Sequence, residues 1–225
     1  MSKPVFLLCG YKGTGKDTFF KDLCFHNLKQ TTETECKWLV YASPNVDRFK
    51  FENLLSEYIK RFAFADALKS MTHEALQFID CPPYAFEKVK ESLQVINPFQ
   101  KNEVLSIRNL YIFIGQQQRA RNPDVWLNII QKQIQNEKLS TSVITDFRFE
   151  NEMKNWNNME VFTIRLFRAN VPIPEVLENR EIDSEHNLDL LETDFILVPP
   201  NDVHALHKQF PQYKNYQLFH RLNEK

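Results

Sequence analysis

A glycine-rich segment near the start of the sequence constrains the fold more than any other feature of this 225-residue chain. Three of the four glycines fall at positions 10, 13 and 15, between the apolar run Val5–Cys9 and apolar residues at helical spacing that begin at Phe19. A strand, a glycine turn and a helix in this order aim unpaired N–H groups at an anion. The sequence therefore predicts an α/β fold with a phosphate loop, in which Lys16 reaches the β- and γ-phosphates of a nucleoside triphosphate.

The segment matches the pattern G-x-x-x-x-G-K and departs from the usual motif at the next position, where Asp17 replaces a serine or threonine. The usual hydroxyl at this position ligates Mg²⁺, and a carboxylate binds the ion directly or through a water molecule. We therefore expect Asp17 to be a magnesium ligand. The backbone N–H groups of Gly13, Thr14 and Gly15, together with Asp17 and Thr18, are expected to cradle the triphosphate.

Composition and charge narrow the class of protein. The formal net charge of −1 provides no basic field for binding nucleic acid or a membrane surface. The four cysteines show neither a C-x-x-C pair nor metal-ligand spacing, which is typical of reduced cysteines in an intracellular protein. The apolar run before the loop is too short for a signal peptide or a membrane span, so we expect a soluble cytoplasmic protein.

Strand and helix patterns alternate along the chain, without an internal repeat. Strands are predicted at 5–9, 38–42, 61–65, 142–145, 161–167 and 195–198. Helices are predicted at about 15–28, 51–59, 66–78, 84–95, 104–118, 124–137 and 150–156, and from about 202. The alternation predicts a single three-layer domain, with a mostly parallel sheet flanked by helices and ligands beyond the carboxyl ends of the strands.

Charged residues follow two of the predicted strands, at the edge where such a sheet binds its ligands. Asp66 and Lys69 follow one strand, and Asp146 and Arg148 follow another. An aspartate at a strand end beside a phosphate loop commonly holds Mg²⁺ or its water shell, and an arginine there neutralises a transferred phosphate. Asp146 is therefore a second candidate magnesium ligand, and Arg148 joins Lys16 as a candidate catalytic residue. Solvated surface charge is the alternative for each of these strand-end residues.

An ordered series of segments runs from residue 4 to about residue 202, and each segment carries a short motif. The segments are Gly10–Thr18, Phe64–Lys69, Arg108 with Gly115, Pro123–Trp126, Asp146–Glu152, and Ser184-Glu185 ahead of Asp194–Leu197. The series resembles the deoxynucleoside monophosphate kinases of phages and viruses, in the P-loop kinase superfamily, which use the same Lys-Asp-Thr loop ending. The resemblance implies a nucleoside monophosphate kinase-like fold, with an acceptor-binding helical insertion at about 66–122 and a lid loop at about 169–185.

The resemblance also implies roles for individual residues. Lys12, Lys69 and Arg108 are implied to grip the monophosphate of the acceptor, with Lys90 as an additional contact or, alternatively, part of a solvated helix face. Arg148 is implied to stabilise the transition state. The other residues implied at the acceptor site are Asp66, Leu68, Trp126, Asp146 and Glu152.

Three of these assignments carry a further expectation or an alternative. Glu152 is expected to order Arg148 from the next helical turn. Trp126 either stacks on a nucleobase or packs in a helix core. Gly115 and Arg119 are implied at the ATP site, although the spacing after Gly115 departs from the family and leaves the choice between Arg119 and Arg121 open.

The leading prediction is an enzyme that uses ATP and Mg²⁺ to convert deoxynucleoside monophosphates to diphosphates, in deoxynucleotide biosynthesis and, if the chain is viral, in the host cytoplasm. The same series also resembles animal-type phosphomevalonate kinases, which share the Lys-Asp loop. A module that binds nucleotide without turnover is the third reading. The expected partners are the two small substrates, not nucleic acid or a membrane. The aromatic tail from Gln212 packs on the domain or on a partner subunit, so a homodimer stays open.

Overall fold

The chain forms two compact units in a computed structural model. The first, here called the sheet unit, comprises Met1–Phe62 and Ile134–Lys225, and the second, the helical unit, comprises Ala63–Gln133. The structure describes residues 4–17, 19, 29–30, 37–47, 59–76, 86, 89–97, 103–137, 141–156, 159–173 and 186–223. Most of the predicted helix at 15–28 and all but the last residue of the one at 51–59 lie outside the described residues.

The sheet unit contains an eight-stranded, mostly parallel sheet. Its strands in spatial order are β2, β10, β3, β9, β8, β1, β7 and β4. In chain order they are β1 (Pro4–Cys9), β2 (Lys29–Gln30), β3 (Trp38–Ala42), β4 (Ile59–Phe62), β7 (Thr141–Ile144), β8 (Glu160–Leu166), β9 (Phe195–Val198) and β10 (Gln217–Asn223). The predicted α/β class with helices flanking a mostly parallel sheet is therefore confirmed at this level.

The parallel part of the sheet brings the carboxyl ends of five strands, β4, β7, β1, β8 and β9, to one edge. β1 pairs with β7 on one side, where Leu7 lies opposite Ile144, and with β8 on the other, where Cys9 lies opposite Arg165. β4 extends the parallel run beyond β7, and all six residues of β1 are buried. Because parallel strands end at the same edge, the loops that follow β1, β7 and β8 are neighbours.

Two apolar clusters cover the two faces of this sheet. Phe6 and Leu8 of β1 pack in a cluster that also contains Phe19, the residue predicted to begin the apolar face of the first helix. On the opposite face, Ile196 and Val198 of β9 pack with Phe210 and residues of the chain that follows. Alternate residues of each strand serve the two faces, as the period of a strand requires.

The aromatic tail, whose packing the sequence left open, forms part of the antiparallel region of the sheet. β10 pairs antiparallel with β3 from Gln217 opposite Ala42 to Leu222 opposite Trp38, with a register shift between Leu218 and His220. β3 in turn pairs antiparallel with β9. The tail therefore packs on its own sheet as a strand that the sequence patterns did not predict.

The helical unit contains two helices that pack together and a short hairpin. These are α1 (Phe64–Ala75), the hairpin β5 (Gln94–Ile96) and β6 (Val104–Ser106), and α2 (Ile107–Arg121). A third helix, α3 (Val125–Asn136), follows, and α4 (Val203–Gln209) belongs to the sheet unit. No helix among the described residues combines the length and the apolarity needed to cross a membrane.

Four predicted elements are wrong in type or extent. Within the helix predicted at 84–95, the described residues 89–92 form a turn and residue 94 begins β5, because Val95 and Ile96 pair with Leu105 and Val104. The helix predicted from 104 begins only at Ile107, where the Ser106 hydroxyl accepts a hydrogen bond from Asn109 N (3.2 Å) and caps the helix. The helix predicted at 150–156 is a 3₁₀ turn at Glu150–Met153. The strand predicted at 61–65 is β4, which ends at Phe62.

Candidate functional site

The glycine-rich segment Gly10–Lys16, here called the glycine loop, leaves the carboxyl end of β1 in a conformation that requires its glycines. All three have positive φ angles, of 137° at Gly10, 93° at Gly13 and 91° at Gly15. L-residues with side chains rarely adopt such angles. At Gly10 space is limiting as well, since an added Cβ would lie 2.5 Å from the carbonyl oxygen of Leu166.

Hydrogen bonds inside the glycine loop converge on one carbonyl. The oxygen of Tyr11 accepts from the backbone N of Thr14 (3.2 Å), from the Thr14 hydroxyl (2.9 Å) and from Lys16 Nζ (3.0 Å). Lys16 Nζ also donates to the carbonyl of Gly10. The lysine thus folds back over the loop and places its ammonium beside the backbone predicted to receive the phosphates.

Asp17, the residue that replaces the usual hydroxyl, is paired with an arginine. Its Oδ1 accepts from Arg61 Nε at 3.1 Å and lies 3.1 Å from Arg61 Nη2. Arg61 lies on β4 and had no predicted role. The Asp17 side chain keeps 66% of its surface exposed, so the carboxylate remains accessible while it forms the pair.

The loop that follows β7 is anchored next to the glycine loop. Phe147 N donates to the carbonyl of Leu8 in β1 (3.2 Å), and the Phe147 side chain is buried. Glu152, which is 2% exposed, accepts from the backbone N atoms of Arg148 (2.9 Å) and Phe149 (3.1 Å) through Oε2. Trp156 Nε1 donates to the Glu152 carbonyl (2.8 Å). Glu152 therefore orders Arg148 through its backbone, as part of a tight turn and not of an α-helix.

A small pocket lies where these loops meet. It is lined by Cys9, Gly10, Lys16, Phe147, Arg148, Arg165 and Leu188. Three of these residues carry positive charge, and among the described lining residues none is acidic. The structure therefore brings together the two predicted catalytic residues, Lys16 and Arg148, in a pocket suited to anionic oxygens.

Arg165 is the pocket residue that sequence reasoning assigned no role. It is 3% exposed, and its Nε donates to the hydroxyl of Tyr213 (2.7 Å) while Nη2 donates to the carbonyl of Leu188. Its guanidinium also lies over the ring of Phe210, 4.7 Å from the centroid. The sequence signal for Arg165 was its charge inside the apolar run 161–167. An arginine buried in a strand needs hydrogen-bond partners, and these are visible only in the tertiary structure.

The predicted acceptor residues of the helical unit lie on two helices and the turn before the hairpin. Asp66, Leu68 and Lys69 are in α1, and Asp66 is exposed in its first turn. Arg108 begins α2, where its Nη1 lies 2.6 Å from Glu91 Oε1 and its backbone N donates to Lys90 O (3.0 Å). Lys90 and Arg108, which were each predicted at the acceptor site, are therefore joined through their backbones within this unit.

Gly115 and Trp126 both have packing roles. A Cβ at Gly115 would lie 3.2 Å from Leu68 Cδ2 and 3.6 Å from Arg119 Nη1, so the glycine lets α2 approach α1 closely. Trp126 is 1% exposed, and its Nε1 has no hydrogen-bond partner within the described part of the chain. This burial favours the core-packing interpretation of Trp126. Lys12 is exposed in the glycine loop, and Thr18 lies outside the described residues.

The donors at the strand edge fit Mg²⁺ held mainly by phosphate. Among the described residues no group of three or more histidine, cysteine, aspartate or glutamate side chains forms a metal cage. Mg²⁺ is usually bound by one or two carboxylates together with substrate phosphates and water, not by a full set of protein ligands. The exposed carboxylate of Asp17 and the carboxylate of Asp146, at the end of β7, match this chemistry.

Burial raises the pKa of several groups around the site. The thiol of Cys9, which is 1% exposed, has a pKa above its ordinary value of 9.0 because burial disfavours the thiolate. Burial and a hydrogen bond to Asp189 raise the pKa of Tyr11 from 10.0 to about 12. Burial also raises the pKa of Tyr213. In the alkaline range the unfolded chain therefore loses these protons before the folded one does.

The free energy of unfolding is expected to fall as the pH rises above 9.0, because the unfolded chain then binds fewer protons than the folded one. Stability from these neutral groups is fully present below their ordinary pKa values and is lost as the pH approaches the raised ones. Urea denaturation at a series of pH values from 8 to about 11 measures the slope. Tyr11→Phe should flatten the slope above pH 10, and an unchanged slope in that variant would contradict the assignment.

No protein-family model matches this chain, and a comparison with curated proteins gives no significant match.

Proposed function

We propose that the protein is an ATP-dependent kinase that phosphorylates nucleoside monophosphates, deoxynucleoside monophosphates in particular, on their phosphate group. The observation that carries the proposal is the pocket shared by Lys16, Arg148 and Arg165 at the carboxyl ends of β1, β7 and β8. Positively charged groups beside a glycine loop suit a substrate whose phosphates must be bound and neutralised. The P-loop kinase fold and the resemblance described above are part of this proposal.

In the proposed reaction, an oxygen of the acceptor monophosphate attacks the γ-phosphorus of ATP in line with the β–γ bridging oxygen. The new P–O bond forms as the bond to the bridging oxygen breaks, and ADP leaves with that oxygen and its negative charge. No general base is needed, because the acceptor phosphate has a second pKa of about 6 and is largely dianionic at neutral pH. The protein contributes positioning and charge neutralisation.

Each site residue then has a defined task. The N–H groups of the glycine loop bind the β-phosphate, and Lys16 neutralises charge that develops on the bridging oxygen. Arg148, ordered through its backbone by Glu152, binds the transferred phosphoryl group. Asp17 and Asp146 would hold Mg²⁺, which supplies charge neutralisation to the phosphates when bound. In the helical unit, Lys69, Lys90 and Arg108 would bind the acceptor phosphate.

The identity of the acceptor is the open part of the proposal. The burial of Trp126 removes an exposed ring that could stack on a base, which keeps a phosphomevalonate acceptor as a second candidate. Both acceptors present a phosphate monoester to the same site. A module that binds nucleotide without turnover is the third candidate.

An ADP-release assay with ATP and Mg²⁺ separates the three candidates. The acceptors are dGMP, dTMP, dCMP, dAMP and 5-phosphomevalonate, tested in parallel with a reaction that lacks acceptor. Turnover with one or more nucleotides supports the proposal and gives the base preference. Turnover only with phosphomevalonate replaces it by the second candidate, and nucleotide binding without acceptor-dependent turnover replaces it by the third.

Arg108→Ala is expected to raise the KM for the acceptor about tenfold or more while changing the KM for ATP less than twofold, because a charge-assisted hydrogen bond to a phosphate is lost. Steady-state kinetics with each substrate varied in turn measures both constants. Lys132→Ala, which removes an exposed lysine from α3, is the control and should leave both unchanged. Equal increases in the KM for ATP and the KM for the acceptor would contradict the assignment of Arg108 to the acceptor alone.

A further inference from the structure

The side chain of Tyr11 has no assigned role in phosphate binding, yet it is buried and makes contacts on several sides. It is 7% exposed, and its hydroxyl donates to Asp189 Oδ2 at 2.9 Å. Its ring lies edge-on to His186, with centroids 5.5 Å apart, and packs against Phe210. Gln209 Nε2 donates to the same hydroxyl at 3.4 Å. A residue in the middle of the glycine loop is thus tied to a segment almost 180 positions later.

Asp189 is the centre of this contact. The same Oδ2 accepts from His186 Nδ1 at 2.7 Å, and Oδ1 lies 4.0 Å from Nη1 of the buried Arg165. The backbone around Asp189 is fixed as well, since its carbonyl accepts from Gln212 Nε2 (2.8 Å) and the preceding carbonyl accepts from Arg165. The Asp189 carboxylate is therefore held in place by contacts with residues outside the glycine loop.

The position of Tyr11 matters because its carbonyl is the hub of the glycine loop. The three hydrogen bonds from Thr14 and Lys16 to that oxygen depend on where residue 11 sits. A loop already held in its binding conformation does not have to be ordered when a phosphate binds, which increases affinity. A contact that fixes the side chain of Tyr11 therefore also restrains the conformation of the glycine loop.

We propose that Asp189 is a positioning residue of the glycine loop, which it holds in its phosphate-binding conformation through the hydroxyl of Tyr11. The inference rests on the proposed function, because it assigns to this contact part of the affinity for the nucleoside triphosphate. It gives a role to the segment before β9, which also contributes Leu188 to the pocket at the ends of β1, β7 and β8.

The decisive variant is Tyr11→Phe, which keeps the ring and its packing and removes only the hydroxyl. The dissociation constant of a fluorescent, non-hydrolysable ATP analogue with Mg²⁺ is expected to rise about tenfold, the loss typical of one hydrogen bond to a charged group. In kinetics, the KM for ATP should rise by a similar factor, with kcat and the acceptor KM within about twofold of wild type. Asp189→Ala should weaken binding at least as much, and the double variant should bind no more weakly than Asp189→Ala alone.

Tyr216→Phe is the matched control. It also removes a tyrosine hydroxyl that donates to a backbone carbonyl, that of Thr193, which is not part of the glycine loop. A purely structural role for Tyr11 would make the two variants alike, with a lowered melting temperature and unchanged affinity.

The binding experiment can fail for the role of Asp189 without failing for the proposed kinase reaction. If wild-type protein binds the analogue and Tyr11→Phe binds it equally well, the positioning role is overturned and the kinase proposal stands. If wild-type protein does not bind the analogue at all, both are overturned. A tenfold loss confined to Tyr11→Phe, Asp189→Ala and their combination supports the role assigned to Asp189.

Discussion

Replacing Lys16 with alanine is expected to lower kcat for acceptor-dependent ADP formation about a thousandfold, the size of effect seen when one preorganised charge or donor is removed from a transition state. The ammonium of Lys16 is held at the glycine loop by the carbonyls of Gly10 and Tyr11, the latter at 3.0 Å. As the bond to the bridging oxygen breaks, negative charge grows beside this position, so the loss falls on kcat more than on binding. The measurement is kcat at saturating ATP and acceptor.

Two further measurements make the Lys16 result specific. Lys208→Ala removes an exposed lysine from α4 and should leave kcat unchanged. Thermal unfolding of Lys16→Ala should stay close to that of wild type, because the lysine is only partly buried and its partners are backbone carbonyls that water can satisfy. A loss of less than tenfold in kcat, with a folded variant saturated by ATP, would contradict a catalytic role for Lys16.

The sequence predicted the parts of the site that depend on local chemistry. The glycines at 10, 13 and 15 are needed at positive φ whatever the rest of the chain does, so the loop could be read from its residue types alone. β1, β3 and β9 are short apolar runs bounded by turn residues, and their predicted limits lie within one residue of those observed. Arg148 could be predicted to lie beside Lys16 because a parallel sheet gathers the residues that follow its strands.

The parts that were missed depend on pairings between distant segments. β5 and β6 are strands because they pair with each other, and β10 is a strand because β3 provides an antiparallel partner. Arg165 and Asp189 become parts of the site only because the chain after β9 folds back and places Tyr213 and Gln212 against them. Strand propensity and residue spacing do not report contacts between distant segments. Arg165 and Asp189 are polar residues that would suit a surface loop equally well.

The ion pair of Asp17 is another feature that the sequence alone did not predict. The sequence placed Asp17 as a magnesium ligand from its position after Lys16, and the structure adds that Arg61 of β4 already pairs with it at 3.1 Å. An exposed pair of this kind contributes little to stability. In the proposed reaction, Mg²⁺ bound with ATP would compete with Arg61 for the carboxylate of Asp17.

Gly10→Ala is expected to destabilise the protein more than any other single glycine substitution in the glycine loop. The methyl group would lie 2.5 Å from the carbonyl oxygen of Leu166 and 3.0 Å from the Thr14 hydroxyl, at a φ of 137°. The Leu166 carbonyl belongs to β8, where Leu166 pairs with Leu197 of β9, so its movement would disturb the pairing of β8 with β9. Backbone strain and overpacking together are expected to cost about 3–4 kcal/mol in the free energy of unfolding, measured by urea denaturation.

Gly13→Ala separates the strain at Gly10 from the clash, because the two glycines differ mainly in what surrounds them. At Gly13 the φ of 93° is also unfavourable for alanine, but among the described residues the methyl group would meet only Val171 Cγ1, at 3.9 Å. Strain alone is expected to cost about 1–2 kcal/mol there. The difference between the two variants therefore measures the close approach of the glycine loop to β8. Equal losses in Gly10→Ala and Gly13→Ala would mean that the loop can move away from Leu166, and that its contact with the sheet edge does not fix the phosphate-binding conformation.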